Sequence, residues 1–238
     1  MANILAIDTS SAWCSVALSL GDQPPSLKHE AVSAGASQLL LPWVDSLLGD
    51  AKVSLKGLDA IAVCIGPGAF TGVRLGVAAV QGLAISYDIP VIPVCSLDSI
   101  AAQLTQTELF KSLCPQCFVI AIDARMEEIY WATYETQPNQ LPKRVSPILL
   151  SRPEDIDLAG VQLLAGSAVN VYRDRLPKFN GSLDGDISIS ALVGVLECAE
   201  QALQEGLVMN VRQLEPLYVR NKVVLTTAER IERNLNNG

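Results

Sequence analysis

Histidine is almost missing from this chain: His29 is the only one in 238 residues. That excludes a His-x-x-x-His zinc pair, and a hydrolytic triad with an imidazole base would have to be built around His29. Its neighbours Lys28 and Glu30 point instead to a solvated side chain on a strand. Serines are plentiful, yet no Gly-x-Ser-x-Gly elbow presents one as a nucleophile. No lysine follows the central glycines, so there is no Walker loop, and Gly66, Gly68 and Gly72 miss the spacing of a dinucleotide site. Positive charge is short as well, with 17 basic against 25 acidic side chains and a net charge of −8. This balance opposes direct contact with nucleic-acid phosphates. The longest apolar stretches fall short of the ~20 residues that a membrane helix needs. Met-Ala-Asn running directly into a strand is no secretory leader, so a cytoplasmic protein is expected.

What is present is apolar and regular. Half the residues are hydrophobic and 18% are charged, which excludes a disordered chain and gives material for one large or two small domains. The six cysteines sit mostly in apolar segments, where a free thiol acts as a small hydrophobe. Cys114-Pro-Gln-Cys117 has no second ligand pair for zinc and runs into a strand rather than opening a helix, so loop cysteines are expected.

The stretch Gly66-Pro67-Gly68-Ala69-Phe70-Thr71-Gly72 organises the chain. The apolar run 60–65 reads as a buried strand, the glycines and Pro67 as a tight loop, and 71–86 as a helix whose only ionic group is Arg74. Glycines before a helix suit either a tight turn or an anion. Gly72, Gly76, Ala79 and Gly82 form a small-residue ridge that would let a partner helix approach. An earlier helix is expected over 37–48, with Pro42 loosening its first turns. Its apolar set Leu39, Leu40, Leu41, Trp43, Val44, Leu47 and Leu48 covers roughly 200° of the circumference, about twice the usual stripe, which predicts burial on two sides.

Ile4 to Asp8, a polar turn and 14–20 predict a hairpin with a carboxylate at the end of its first arm, followed by a third strand over 26–32. The run 120–134 repeats that pattern: Asp123 falls on Asp8, and 129–132 falls on 14–17 at the same offset, an echo of two related halves. Asp8 and Asp123 could hold Mg²⁺ or activate a water if they shared a cleft, or could simply cap the turn after each strand. Further expected elements are a strand at 90–94, a helix capped by Ser96 running to Leu104, a strand over 161–165, and an amphipathic helix over 189–205. An extended connector over 215–221 and a last helix opened by Thr226-Thr227-Ala228-Glu229 complete the expected elements. No residue set stands out as catalytic.

Four blocks, in order, resemble the TsaB (YeaZ) family: Ile4-Leu-Ala-Ile-Asp-Thr-Ser-Ser11, Gly66-Pro-Gly-Ala-Phe-Thr-Gly-Val-Arg74, Ile122-Asp-Ala-Arg-Met126 with Glu128-Ile-Tyr-Trp131, and Glu215-Pro-Leu-Tyr-Val-Arg-Asn221. The resemblance implies an α/β protein of the actin-like, Hsc70 (ASKHA) fold, with two RNase-H-like halves whose mixed sheets are flanked by helices. It places the first half at 1–100, rejoined by 212–238, and the second at 101–211. It implies a non-catalytic scaffold that works with TsaD and TsaE to form threonylcarbamoyl on N6 of adenosine 37, in tRNAs reading codons that start with A. TsaD would pair with it through the first two helices, with Leu40, Trp43, Leu47, Phe70, Val73, Gly76, Val77 and Val80 at the contact. A homodimer would use the same surface when TsaD is absent, and tRNA would be met mainly through the partners. No metal site is implied: the metal histidines of TsaD lie on the first helix, and 33–40 here has none. Asp8, Thr9 and Ser10 stand where that superfamily contacts phosphate. ATP or ADP with Mg²⁺ is thus expected at most at the complex interface, and not held tightly. An actin-fold phosphotransferase or ATPase is the alternative function, and a glycoprotease-like peptidase the remote one.

Overall fold

The architecture follows from strands that are apolar on both faces. In the computed structural model, which describes residues 2–32 and 35–219, the first five strands are β1 (Asn3–Asp8), β2 (Trp13–Leu20), β3 (Ser26–Ala31), β4 (Ala60–Gly66) and β5 (Val91–Cys95). They form one mixed sheet in the order β3-β2-β1-β4-β5, antiparallel through β1-β2-β3 and parallel through β1-β4-β5. Side chains alternate across such a sheet. Ile4, Ala6, Ala62 and Cys64 enter one core, and Leu5, Ile7, Ile61 and Val63 enter another on the opposite face. The second core is covered by α1 (Ala36–Ala51) and α2 (Phe70–Ile85).

The second half repeats the scheme with β6 (Cys117–Arg125), β7 (Glu128–Glu135), β8 (Lys143–Arg144), β9 (Leu149–Ser151), β10 (Leu163–Ala165) and β11 (Ser182–Asp184). Their order is β11-β10-β6-β7-β8, with β9 also on β7. Phe118, Ile120 and Tyr134 join the core that already holds Ile4 and Ala62, while Val119, Ala121 and Trp131 pack with the short α5 (Ala168–Val171) on the other face. Between the two sheets lie α3 (Ser96–Leu104), Phe110 of α4 (Glu108–Leu113), a π-helical turn over Ala191–Val195 and α6 (Leu196–Gln204). The order is therefore helices, sheet, shared helices, sheet, helix, the two-sheet α/β class that the resemblance implies. Among the described residues no helix is long and apolar enough to cross a membrane.

After α6 the chain returns to the first half. Met209 bridges the edge strand at Val91, Val211 and Leu214 enter the α1–α2 core, and the Leu217 amide donates to the Ile65 carbonyl at 2.8 Å. The helix expected from Thr226 lies outside the described residues.

Several local expectations are corrected. Ser96 is not an N-cap: Cys95 holds that position without a side-chain bond, because the Ser96 hydroxyl turns into a buried cluster with Cys64 and Ser10. The expected 189–205 helix begins as the π turn, where Gly194 sits so close to Ser99 of α3 that a Cβ there would fall 2.3 Å from its hydroxyl. Helix α1 runs through Pro42 to Ala51. The hairpin echo is one residue out in its second arm: Asp8 pairs with Ser15, whereas Asp123 pairs with Ile129. The second turn is shorter because Arg125, Met126 and Glu127 all adopt positive φ, which tightens it. His29 is not freely solvated. It stacks flat on Trp13 with ring centroids 4.4 Å apart, and burial lowers its pKa below the usual imidazole value.

Candidate partner-binding face

Strand β4 delivers the chain at Gly66, whose φ of 103° suits glycine, through a cis Gly66–Pro67 bond into α2. The loop lies directly on the β1–β2 turn. A Cβ on Gly68 would stand 2.2 Å from the Ser10 carbonyl oxygen, and one on Gly72 would stand 1.9 Å from that of Thr9. Only glycine permits this contact. Hydrogen bonds fasten it: the Ala69 amide donates to the Ser10 carbonyl at 2.6 Å, and the Thr9 hydroxyl donates to the Gly72 carbonyl at 2.7 Å. Of the two uses that glycines before a helix allow, this loop shows the tight packing.

Asp8 is sealed beneath. It is 0% exposed, with Thr9 at 3% and Ser10 at 2%. The Ser10 amide and hydroxyl donate to its Oδ1 at 2.9 and 2.6 Å, while Oδ2 has no hydrogen-bond partner. Burial pushes its pKa up to about 6, against the lowering pull of the Ser10 hydroxyl and amide and of the Cys64 thiol. The sequence offered Asp8, Thr9 and Ser10 as a phosphate contact. The structure turns them inward, under the chain's own glycine loop, so the residues present do not fit a phosphate or its Mg²⁺. Asp123 caps its turn: its Oδ1 accepts from the Arg125 amide and the Tyr172 hydroxyl, both at 2.8 Å, and its Oδ2 pairs with the Arg125 guanidinium at 3.2 Å. Cys114 ends α4 and Cys117 begins β6, both as free thiols. Among the described residues no group of three or more His, Cys, Asp or Glu is placed to hold a metal ion.

What the first half does offer is the outer surface of its two helices. Six of the eight side chains assigned to a partner contact point the other way. Leu40, Leu47, Val73, Gly76, Val77 and Val80 are buried in the chain's own core against the first sheet. The small-residue ridge divides likewise: Gly72 and Gly76 face Thr9, and only Gly82 has open space where a Cβ would stand. Periodicity located the apolar arcs but not the side on which the sheet lies. The outward side chains are Leu41 at 52% exposed, Phe70 at 65% and Ile85, joined by Tyr218 from the returning segment, with Trp43 half-buried at the flank. Leu41, Ile85 and Tyr218 were not in the expected set. Leu41 belonged to the over-wide arc of α1, and that was the signal for it. Arg74 stands beside two of them, its guanidinium carbon 3.2 Å from the Phe70 ring centroid and 5.3 Å from that of Tyr218.

Comparison with known proteins finds relatives along nearly the whole chain. Residues 30–171 match the family model described as TsaD: tRNA N6-adenosine threonylcarbamoyltransferase. The chain is 34% identical to the tRNA threonylcarbamoyladenosine biosynthesis protein TsaB of Escherichia coli (strain K12), over 92% of this chain and 95% of that protein. It is 30% identical to the protein of the same name from Haemophilus influenzae, over 92% of this chain and 94% of the relative. The solved structure of YeaZ from Pseudomonas aeruginosa superposes with a TM-score of 0.81 at 35% identity, covering 92% of this chain and all of that one.

Proposed function

The chain belongs to the TsaB (YeaZ) family, and from that premise we propose that it is an interaction subunit of the machinery forming threonylcarbamoyladenosine in tRNA. It carries no catalytic centre of its own and completes a TsaD-type transferase by docking against it. The observation that supports this most is the contrast within one helix pair: the inward residues are fully packed, while Leu41, Phe70 and Tyr218 stand open on the outside. Scattered exposed apolar side chains need no explanation, but aromatic rings gathered around an arginine are the composition of a binding hot spot. The partner is TsaD, with TsaE joining the assembly and a second copy of this chain occupying the face when TsaD is absent. The work is done in the cytoplasm, and tRNA is met through the partners, in keeping with the net charge of −8. Any ATP or ADP sits at the assembled interface rather than at the buried Asp8 turn.

The test is complex formation, by size exclusion and light scattering, with TsaD from the same organism. Leu41→Asp should abolish the complex while leaving the melting temperature within a few degrees of wild type. A Leu41→Asp chain that still pairs with TsaD overturns the docking face. Val73→Asp is unsuitable as a probe, because Val73 is buried and the charge would unfold the domain.

A further inference from the structure

Resting on the docking face just described, we propose that Arg74 is its charged anchor and receives a carboxylate from an acidic side chain of the partner protein. Arg74 is the only cation on either helix: α1 carries no basic residue, and α2 carries no other charge. Arg125, Arg144, Arg175 and Arg212 each bridge a carboxylate of this chain, while Arg152 and Arg173 bridge none among the described residues. Arg74 bridges none among the described residues; its Nη1 is closed to solvent without an acceptor, so a partner's carboxylate would reach the guanidinium at its other N–H groups. Its guanidinium lies over the Phe70 ring with the Tyr218 ring also near, and both rings are more than half exposed. Cation–π contact covers the face of a guanidinium but leaves its in-plane N–H donors unmet. A planar carboxylate meets those donors in the fork geometry that arginine offers and lysine does not.

The choice of a protein carboxylate over a phosphate rests on the surroundings. A polyphosphate brings two or more charges and needs several donors, whereas this face supplies one cation set between the exposed rings of Phe70 and Tyr218. One acidic side chain set among apolar residues on the partner complements it in charge and in surface. On docking, the pair is desolvated, and such interfacial charge pairs are the ones whose truncation is costly.

The experiment titrates the full chain with TsaD of the same organism, without nucleotide, at low and at physiological salt. Arg74→Met should weaken binding by about 30-fold or more and flatten its salt dependence, and Arg74→Lys should weaken it by about 10-fold while keeping the salt dependence. Thermal melts of both variants establish that the fold is retained, and the lysine variant keeps the test valid if the methionine variant folds poorly. If Arg74→Met binds within about threefold of wild type while Leu41→Asp does not bind, the anchor is wrong and the docking face stands. If Leu41→Asp binds as well as wild type, the face itself is wrong. A loss in Arg74→Met seen only when ATP or ADP is added assigns the arginine to phosphate and overturns the proposal.

Discussion

The two sides of α2 meet different surroundings. On the inner side Gly72 and Gly76 admit Thr9, and Val73, Val77 and Val80 fill the space above the first sheet. On the outer side Phe70, Arg74 and Ile85 meet no sheet at all, and a returning tyrosine comes to stand beside the arginine. In an actin-like fold the inner side is where a phosphate would be cradled. Here the chain's own hairpin turn fills that place. The same glycines that look like a ligand loop in sequence are what close it.

The largest effect should come from breaking the inner side. Gly72→Ala would place a methyl group 1.9 Å from the Thr9 carbonyl oxygen, and the neighbour is backbone that cannot rotate away. A loss of about 3 kcal/mol or more in a denaturant melt is expected; a change below about 1 kcal/mol would mean that loop and turn do not touch as described.

The second effect is a pH dependence. Asp8 has a folded pKa raised from 3.8 to about 6, so the folded state holds the proton more tightly than the unfolded chain does. Its contribution is therefore fullest below pH 3.8, falls as the pH rises to about 6, and stays lost above that. The span is about 3 kcal/mol at most. Asp8→Asn should remove that slope from the chain's stability between acid and neutral pH, and an unchanged slope would place the proton elsewhere. The cognate carboxylate gives the contrast. Asp123 has its amide, hydroxyl and guanidinium partners, and Arg125 is largely exposed, so Asp123→Asn should cost about 1 kcal/mol or less in the same melts. A loss several times larger would show that the second turn depends on this carboxylate more than its exposed partner suggests.

The smallest effect on the fold should come from the outer side. Leu41→Asp replaces a side chain that is 52% exposed and should change stability by no more than about 1 kcal/mol, measured in the same melts. A large loss would mean that Leu41 belongs to the core and that the inner–outer division is drawn in the wrong place.

Much of this was legible in the sequence, and the misses share a cause. Apolar runs gave β1 and β4 and the start of α2 within a residue or so, because burial on both faces leaves little room for another pattern. The paired hairpins were visible from Asp8 and Asp123, although not the shorter second turn, whose positive φ at Arg125, Met126 and Glu127 no residue type there announces. Helical spacing could not tell the inner from the outer side of α1 and α2, because both are apolar and the sheet that decides lies elsewhere in the sequence. The glycine loop was legible as a loop, but its occupant was not, since Thr9 and Ser10 are some 60 residues away. Ser96 looked like a cap for the same reason: its partners, Cys64 and Ser10, are brought to it only by the finished sheet.

The measurement that tests the central claim most directly is reconstituted formation of threonylcarbamoyladenosine on tRNA by TsaD and TsaE of the same organism, with wild-type chain, Leu41→Asp or Asp8→Asn. A chain that acts through its outer face predicts full activity with wild type, near-complete loss with Leu41→Asp, and retained activity with Asp8→Asn. Loss with Asp8→Asn while the complex still forms, together with activity in Leu41→Asp, would contradict it and return the function to the buried turn.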